Sequence, residues 1–371
     1  MKNNIAICTV TILSAFCFSN YAFADSAWTI ETVDSLGDKV NGGGGGTTSL
    51  TLDTAGNPHI SYYDASHSAL KYAAFNGSVW NTYTIDSAGD VGMDPSLALD
   101  AMGNPHISYY NRGDSDLKYT TFNGSSWDTQ TIDSTGILGQ NSSLALDAMG
   151  NPHIAYDASG MVKHASFNGT SWNIDNIGGG GRPDIAFDLT GNAHVSYHNH
   201  NSHDLVYATL SGSSWAKQTI DSLGEVGDYS SIALDSSGNP HISYQDWSNL
   251  DLKYAVYDGS TWNTETIDGL SGAVGWYSSI ALDADDNPHI SYKENPIDNL
   301  KYAAFDGLTW DIQTVDNEGK VGWGSSIALD AAGNPHISYS DFTDYDLKYA
   351  TVPEPATLLL LGLGGLALRR R

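Results

Sequence analysis

The sequence predicts an all-β fold, a seven-bladed β-propeller with four antiparallel strands in each blade. The first observation is a phrase, Asn-Pro-His-Ile-Ser-Tyr, that recurs seven times in full or slightly altered form along the 371 residues. The second is the spacing of its histidines, which lie 47, 47, 41, 47, 48 and 47 residues apart. They are His59, His106, His153, His194, His241, His289 and His336. A fixed period of about 40–50 residues is typical of repeat architectures such as propellers.

Each repeat carries four short strand signals that are separated by turn residues. In the second copy an apolar segment ends at Asp100, and a Gly-Asn-Pro turn leads into a second segment that begins at His106. Two further segments, 117–122 and 127–133, are joined by an Asn-Gly turn, which is a strong hairpin signal. Helical periodicity is absent from the repeat, so its four antiparallel strands are predicted to form one blade.

Residue size along the repeat is consistent with radial packing. The first strand of most copies has an alanine at its centre, and the fourth strand of most copies begins with tryptophan. Blades converge at the axis and diverge at the rim, so small inner and large outer side chains fill the wedge between them.

The ends of the repeat region predict how the ring closes. The first strand signal, Trp28 to Asp34, has the sequence of a fourth strand but lacks the three strands that normally precede it, and the last copy stops after its third strand. We therefore predict that this N-terminal strand completes the last blade, which leaves no open sheet edge. The alternative is an open solenoid, which would expose two sheet ends.

Residues 1–24 have the features of a secretory signal peptide. Lys2 precedes an apolar stretch from Ile5 to Phe18, and Ala22-Phe23-Ala24 provides a small-x-small cleavage site. The alternative is a membrane-anchored first helix, which the short apolar stretch disfavours. Both cysteines lie inside this segment, so we expect the exported propeller, residues 25–352, to contain no disulfide.

The end of the chain, residues 353–371, combines three features in a fixed order. Pro353-Glu354-Pro355 is followed by an apolar stretch from Leu358 to Leu368 and then by three arginines. This segment resembles the PEP-CTERM sorting signal of Gram-negative bacteria. The resemblance implies an exosortase-type sorting protease as a partner, transient membrane anchoring through the tail, and arginines on the cytoplasmic side. It also implies export through the inner membrane to the cell surface, the outer membrane or the extracellular matrix.

The turn before the fourth strand carries a second, looser resemblance. It reads Asn-Gly-Ser-Ser-Trp in one copy and runs from Asp258 to Trp262 as Asp-Gly-Ser-Thr-Trp in another. These turns are similar to the Asp-box of sialidase-type propellers. That resemblance implies three arginines that hold the carboxylate of a substrate. The predicted propeller contains only Arg112 and Arg182, so a sialidase site cannot be built from it.

The charge balance excludes some partners. The chain has 43 acidic residues against 16 basic ones, a net charge of −27. Such a surface repels nucleic acid and anionic lipid, so we expect no nucleic-acid partner and a soluble, monomeric extracellular domain. Disorder is the usual alternative for a strongly acidic chain, but the abundance of tryptophan, tyrosine and branched aliphatic residues argues against it.

The seven repeated histidines are interpreted as scaffold. Each follows, across a short hairpin, the aspartate that ends the first strand, as Asp100 precedes His106. We predict a hydrogen bond between the two side chains that fixes the turn. A catalytic group is needed once, so its repetition in every blade favours a structural role.

Binding residues are sought among the residues that do not repeat. The loops after the second and fourth strands lie on one face of the predicted ring and vary freely, and ligand-binding residues concentrate on such loops. On that face we predict ligand-binding residues in the last three blades: Tyr229, Trp247, Trp276, Tyr277 and Trp323. Aromatic faces beside carboxylate and amide groups suit sugars, although the same rings could instead plug the central channel.

Three histidines lie close together in the fourth copy, at His198, His200 and His203, followed by Asp204. Such residues can hold a transition metal, but their spacing matches no strong ligand motif. We therefore favour a solvated polar loop and expect neither a metal site nor a cofactor.

Two classes of function remain. No Gly-x-Ser-x-Gly or His-Glu-x-x-His motif and no nucleophilic cysteine is present in the predicted propeller, and we assign no catalytic residue. We therefore expect a protein that is not an enzyme but an exported cell-surface or matrix protein, with carbohydrate or exopolysaccharide as its partner. The alternative is a secreted glycosidase or lyase, because acidic residues that could form an acid–base pair are plentiful.

Overall fold

The computed structural model describes residues 28–35, 47–269 and 272–352, and the regular elements in these ranges are all β-strands. The strands form seven antiparallel sheets of four strands each. The predicted all-β, seven-bladed propeller is therefore confirmed. The predicted signal peptide and sorting tail lie outside the described residues. Within these residues, no helix has the length and apolar character needed to cross a membrane.

Six blades are continuous in sequence and follow a separate first strand, β1 (Thr29–Ser35). Blade 1 contains β2 (Thr48–Leu52), β3 (Pro58–Asp64), β4 (Ala69–Phe75) and β5 (Trp80–Asp86); blade 2 contains β6 (Val91–Leu99), β7 (Pro105–Asn111), β8 (Asp116–Phe122) and β9 (Trp127–Asp133); blade 3 contains β10 (Leu138–Leu146), β11 (Pro152–Ala158), β12 (Met161–Phe167) and β13 (Trp172–Gly179). Blade 4 contains β14 (Gly181–Phe187), β15 (Ala193–Asn199), β16 (Asp204–Ser211) and β17 (Ser214–Asp221); blade 5 contains β18 (Val226–Leu234), β19 (Pro240–Asp246), β20 (Asp251–Tyr257) and β21 (Trp262–Asp268); blade 6 contains β22 (Ala273–Leu282), β23 (Pro288–Asn295), β24 (Asn299–Phe305) and β25 (Trp310–Asp316).

Blade 7 closes the ring with strands from both ends of the repeat region. Its sheet has the order β1-β28-β27-β26, in which β26 (Trp323–Leu329), β27 (Pro335–Asp341) and β28 (Asp346–Thr351) come from the last repeat. Strand β1 pairs antiparallel with β28, from Thr29 opposite Thr351 to Ser35 opposite Asp346. The predicted closure by the N-terminal strand is confirmed.

A ring of hydrogen bonds joins the innermost strands near the axis. In each case a backbone N–H donates to a side-chain oxygen in the innermost strand of the preceding blade, over 2.8–3.3 Å. The donor and acceptor pairs are Leu97 and Ser49, Leu144 and Ser96, Ile185 and Ser143, Ile232 and Asp184, Ile280 and Ser231, Ile327 and Ser279, and Leu50 and Ser326. The last pair connects blade 1 to blade 7, which excludes an open solenoid. The inner strands are thereby held in one register around the axis.

Tryptophan side chains fill the outer part of the layers between blades, as predicted. Trp127 at the start of β9 packs edge-on against Tyr72 of blade 1, with ring centroids 5.7 Å apart. Trp28, just before β1, packs in the same way on Tyr302 of blade 6, at 5.2 Å. Aromatic pairs in this geometry add to the free energy gained by burial, so the rim of the closing blade is packed like the others.

The histidines of the repeat have a different partner from the predicted one. His106 Nδ1 lies 2.5 Å from the hydroxyl of Tyr119 on β8, whereas its Nε2 lies 3.9 Å from Asp100. All seven histidines make this Nδ1 contact with the third strand, and their distances to the aspartate are 3.4–3.9 Å. The predicted His–Asp hydrogen bond is therefore wrong. Asp100 instead accepts the backbone N–H groups of Met102 and Asn104 and closes the turn.

At most blade junctions, a tyrosine and a lysine of one blade bind the same aspartate of the preceding blade. This cluster is missing at the junction of blades 3 and 4, both of which lie within the described residues. In blade 2 the buried Tyr109 donates to Asp86 over 2.7 Å, and Lys118 binds the same carboxylate over 2.6 Å. In blade 4 the corresponding tyrosine, Tyr197, faces Gly178, and Val206 stands in the position of the lysine. Blade 4 thus departs from the scaffold at the point where its unrepeated histidines occur.

Candidate functional site

A cavity of about 200 Å³ opens at one end of the propeller axis. Each of the seven innermost strands contributes three consecutive residues to its wall. The first residue of each triplet differs from blade to blade, and we call these seven residues the axial ring: Thr47, Asp94, Asn141, Arg182, Tyr229, Tyr277 and Gly324. The scaffold therefore presents six residue types at one repeated backbone position, with tyrosine in both blade 5 and blade 6.

The backbone of the axial ring is unusual. From Asp94 to Gly324 its members have positive φ angles, between 47° and 57°. The pairing register with the second strand shifts at the same place, as between Met93 and Ser96 in blade 2. Such a bulge re-aims side chains, and bulky residues with positive φ store strain of about 1–3 kcal/mol that often marks a functional site.

The blade 2 to blade 4 side of the cavity is polar. The backbone N–H of Asn141 donates to Asp94 over 3.1 Å, and its side-chain amide donates to Asp157 over 2.7 Å. The backbone N–H of Arg182 also donates to Asp157, over 2.7 Å. Asn141 thus joins Asp94, which lines the cavity, to Asp157, which is not one of the lining residues.

Burial sets the protonation of this polar side. Burial raises the pKa of Asp157 to about 7, because it outweighs the hydrogen bonds from Asn141 and Arg182 that favour the carboxylate. Burial also raises the pKa of Asp94. Burial disfavours the charge of Arg182, but the attraction of Asp228 outweighs it and raises the arginine's pKa. Asp157 is therefore poised to exchange a proton near neutral pH.

The blade 5 to blade 7 side is aromatic, and it contains all five predicted binding residues. Their rings form a continuous series in which Trp247 neighbours Trp276 at 4.9 Å, Trp276 neighbours Tyr229 at 5.6 Å, Tyr229 neighbours Tyr277 at 4.5 Å, and Tyr277 neighbours Trp323 at 5.8 Å. We call this series the aromatic arc. Only Tyr229 and Tyr277 line the cavity itself, and the tryptophans extend the arc away from it.

The arc continues outward and remains partly accessible. Trp323 neighbours Phe342 at 5.0 Å, and Trp247 at the other end is 39% exposed. The indole N–H groups of Trp276 and Trp323 are buried and have no hydrogen-bond partner in the part of the chain that the structure describes. The arc therefore offers ring faces and edges rather than polar contacts.

Arg182 connects the two sides. Its guanidinium lies 4.1 Å from the centroid of the Tyr229 ring, and one of its nitrogens lies 2.5 Å from Asp228. A cation over an aromatic face is an attractive contact, and the carboxylate neutralises the charge. The arginine is thus held at the boundary between the polar side and the aromatic arc.

One group of possible metal ligands lies beside this boundary. His198 on β15, His203 in the loop after it and Glu225 in the loop before β18 each offer a ligand atom, and the three atoms lie within 4.8 Å of one another. His200, which also comes from this loop, lies against Gly181, and its ring centroid is 5.4 Å from that of His198.

The residues on the polar side were missed by the sequence analysis. Asp94, Asn141 and Asp157 carry no motif, and Arg182 entered only as one of two arginines. A signal for them exists in the repeat itself, because each occupies a position that varies between blades while its neighbours repeat. Large aromatic residues stand out in the sequence without any comparison between blades.

Comparison with known families identifies a sorting signal in the chain. A family model described as the PEP-CTERM protein-sorting motif matches residues 351–371. The chain carries this sorting motif. The motif implies export across the inner membrane of a Gram-negative bacterium and recognition by an exosortase, which confirms the predicted sorting partner. The matched range includes Pro353-Glu354-Pro355, whose structure lies outside the described residues.

No curated protein matches the chain. Among solved structures, an ulvan lyase of polysaccharide lyase family PL25 is 13% identical, with 82% of this chain and 91% of that chain covered and a TM-score of 0.60. An α-L-arabinanase of Penicillium chrysogenum is 10% identical, with 70% and 92% covered and a TM-score of 0.51. A lectin of Aleuria aurantia is 15% identical, with 75% and 97% covered and a TM-score of 0.50. At these identities the similarity shows the fold alone.

These structures correct one prediction. The expectation that the protein is not an enzyme is wrong, because this fold does not distinguish enzymes from binding proteins. A lyase and an arabinanase have the same type of fold as a lectin. The missing motifs belong to other catalytic scaffolds and do not bear on a propeller, whose sites are formed by side chains at the axis.

Proposed function

We propose that this exported propeller binds a polysaccharide of the cell surface or extracellular matrix at the axial cavity. The observation that carries the proposal is the opposition of the polar side and the aromatic arc across one cavity. A sugar ring offers an apolar face and a hydroxyl edge, so it needs both kinds of surface at once. Tyr229 and Tyr277 supply ring faces, and Asp94 and Asn141 supply hydrogen-bonding groups.

The size of the cavity limits what enters it. At ~30 Å³ per water molecule, a volume of about 200 Å³ corresponds to six or seven waters. This space suits one sugar unit rather than a long oligosaccharide. The half-buried Trp276 and the exposed Trp247 extend the aromatic surface, so neighbouring units of the same polymer would lie along the arc.

The charge of the site favours neutral or amino sugars. Asp94, Asp157 and Asp184 contribute three carboxyl groups near the axis, and the charge of Arg182 is offset by Asp228. The net charge of −27 adds a long-range repulsion for polyanions. We therefore expect weaker binding of uronate-rich or sulfated polymers than of neutral ones.

Glycan-array binding by the exported full chain tests this proposal. Tyr277→Ala removes a ring from the cavity wall, and Trp276→Ala removes a ring from the arc. Each should weaken binding of the retained glycan about tenfold, which corresponds to ~1.4 kcal/mol. Trp127→Ala is the matched control, because it removes a ring between blades far from the cavity. Equal affinity of all four proteins would contradict the proposal.

A second candidate, a glycosidase, is favoured by one specific observation. Asp157, whose pKa is raised to about 7, and Asp94 are joined through Asn141 at the cavity rim. A carboxylic acid that holds its proton near neutral pH beside a second carboxyl group is the arrangement of an acid–base pair for glycoside cleavage. In this candidate Asp157 protonates the leaving oxygen. Asp94 acts as the base or the nucleophile in its ionised form, which burial disfavours by raising its pKa.

The two candidates are separated by turnover. Neutral polysaccharides are incubated with the exported chain, and reducing ends are measured over time. If Asp157→Asn abolishes release of reducing ends but keeps glycan affinity, the protein is a glycosidase. If no reducing ends are released by the unaltered chain, the binding proposal alone remains.

The ends of the chain complete the proposal. Cleavage near residue 24 releases the N-terminus, the tail holds the protein at the membrane until an exosortase processes it, and residues 25–352 form a monomeric matrix domain. Mass spectrometry of the mature protein and its sedimentation coefficient test these statements. A mature chain that retains residues 353–371, or a dimer, would contradict them.

A further inference from the structure

Blade 4 contains histidines that its scaffold does not use. Its repeat histidine, His194, bonds to Tyr207 in the same way as in the other blades. His198, His200 and His203 are additional, and they follow the only repeat interval of 41 residues. They therefore require an explanation other than repetition.

The fold brings two of these histidines to a glutamate from a different loop. One nitrogen of His198, one nitrogen of His203 and one oxygen of Glu225 all lie within 4.8 Å of one another. His203 Nδ1 and Glu225 Oε1 are the closer contact, at 3.4 Å. No sequence spacing indicates this group, because Glu225 comes from the connection between blades 4 and 5.

Backbone hydrogen bonds fix the positions of the three residues. The N–H of Val226 donates to the carbonyl of His203 over 2.9 Å, which ties the two loops together. The N–H of Glu225 donates to the hydroxyl of Ser248 over 2.8 Å. These hydrogen bonds therefore hold the loops that carry His203 and Glu225 in fixed positions.

His198 supplies the second observation. It is only 6% exposed, and its Nε2 is buried and has no hydrogen-bond partner in the described ranges. Its Nδ1 lies 4.0 Å from Asp228, beyond hydrogen-bonding distance. Buried polar atoms are nearly always satisfied, so a nitrogen in this state indicates a missing partner.

We propose that His198, His203 and Glu225 bind one zinc ion beside blade 4, next to the ion pair of Arg182 and Asp228. Two imidazoles and one carboxylate are a ligand set that zinc prefers, with a fourth position left for water or a ligand. At zinc–ligand distances of ~2.0–2.2 Å, ligand atoms lie ~3.3 Å apart. His203 Nδ1 and Glu225 Oε1 already have this separation, at 3.4 Å, and both side chains are exposed and have room to turn towards His198.

The proposed zinc site lies close to the axial cavity, but zinc binding does not require that the cavity binds a sugar. Asp228, 4.0 Å from His198, is the residue that holds Arg182, a member of the axial ring. Zinc would add positive charge to a rim that is otherwise rich in carboxylates. Binding of zinc is measurable whether or not a glycan binds.

Isothermal titration of the exported full chain with Zn²⁺ at pH 7.5 tests the proposal. We expect one zinc per chain, and a loss of affinity of about 100-fold in His203→Gln and in Glu225→Gln. His67→Gln is the control, because His67 lies in the matching loop of blade 1 with its side chain 76% exposed. Thermal melting without metal checks that each variant is folded.

The proposal predicts a selective response as well. Zn²⁺ should raise the melting temperature of the unaltered chain and of His67→Gln but not of His203→Gln, and Ca²⁺, which prefers six to eight oxygen ligands, should have no effect. Absence of saturable Zn²⁺ binding, or equal affinity of the unaltered chain and both ligand variants, would overturn the assignment. Preference for Ca²⁺ over Zn²⁺ would do the same.

Discussion

The indole N–H of Trp28 donates a hydrogen bond of 3.0 Å to the side-chain carbonyl of Gln313, 285 residues later in the chain. This contact crosses from the closing strand to blade 6 and accompanies the edge-on packing of Trp28 on Tyr302. The two ends of the propeller are thus held by side chains as well as by the β1–β28 ladder.

The first prediction concerns this closure. Trp28→Ala should lower the free energy of unfolding by about 2–3 kcal/mol, less than a fully buried tryptophan because the ring is half-buried. It should also lower the m-value, which is the slope of the unfolding free energy against urea concentration, because β1 can detach before the other blades unfold. Urea unfolding followed by tryptophan fluorescence and by circular dichroism measures both quantities.

Trp310→Ala is the matched control for Trp28→Ala. Trp310 makes the same edge-on contact, with Tyr254 at 5.5 Å, and a hydrogen bond of 3.1 Å to Glu265. Its strand, β25, is also the outermost of its sheet, but a short turn connects it to its partner β24, so we expect it to unfold with its blade and leave the urea dependence unchanged. The same urea dependence in both variants would contradict a special role of β1 in cooperativity.

The second prediction concerns a buried ion pair beside the aromatic arc. Lys293 is fully buried, its Nζ lies 2.5 Å from Asp298 and 4.3 Å from the centroid of the Trp323 ring, and burial lowers its pKa. Asp298→Asn should cost about 3 kcal/mol, because it leaves the ammonium without its counter-charge. Lys293→Met should cost less than ~1.5 kcal/mol, because an apolar chain of similar volume replaces the charge.

Urea unfolding of these two variants and of the double variant at pH 7.5 measures the costs. The double variant should resemble Lys293→Met, since the asparagine then faces no buried charge. A cost for Lys293→Met that equals or exceeds the cost for Asp298→Asn would show that the ammonium itself stabilises the fold.

The third prediction concerns acid sensitivity. Burial lowers the pKa of each of the seven repeat histidines below its usual 6.5. The folded chain therefore binds fewer protons than the unfolded chain just below pH 6.5, so its stability is complete above that pH and falls as the pH drops below it. The urea midpoint should decrease steadily from pH 6.5 to pH 5.

A single substitution tests the cause of this acid sensitivity. His241→Asn removes one of these sites and should reduce the slope of stability against pH. His67→Asn, at an exposed position, should leave the slope unchanged. A stability that is independent of pH between 6.5 and 5 would contradict the prediction.

The fourth prediction concerns Asp157 and has the opposite sign. Its pKa is raised from 3.8 to about 7 by burial, so the folded chain binds a proton that the unfolded chain has already lost. This group therefore stabilises the fold at low pH, and the stabilisation is lost as the pH rises through about 7. Asp157→Asn mimics the protonated carboxyl and should remove this dependence.

The measurement is the difference in unfolding free energy between Asp157→Asn and the unaltered chain. At ~1.4 kcal/mol per pKa unit, that difference should change by about 2–3 kcal/mol between pH 5 and pH 8 in favour of the variant. Comparison at each pH cancels the contribution of the histidines. A constant difference would mean that the carboxyl group is already ionised at pH 5.

The repeat period and the incomplete end copies were sufficient to predict the blades and their closure, because each is visible in one dimension. Whether a side chain faces the axis depends on the bulge in the innermost strand. A change of one residue in register would reverse the direction of Asp94, Asn141 and Arg182, and no turn residue marks that position. The aromatic residues were found because their size and exposure are unusual without reference to register.

The partner of the repeat histidines shows the same limit. Asp100 is nearer to His106 in sequence than Tyr119 is, so a local argument favoured the aspartate. In the structure, the β7–β8 pairing places the hydroxyl of Tyr119 beside the ring. Pairing between neighbouring strands, rather than distance along the chain, determined the contact.

The side chains of the axial ring can change independently of one another. In four members the backbone carbonyl accepts a hydrogen bond from a hydroxyl group of the next blade, so exchanging the side chain leaves this support in place; these members are Asp94, Tyr229, Tyr277 and Gly324. The seven positions can therefore carry many combinations of side chains while the propeller backbone stays the same. New ligand preferences could therefore arise by single exchanges, without remodelling of any loop.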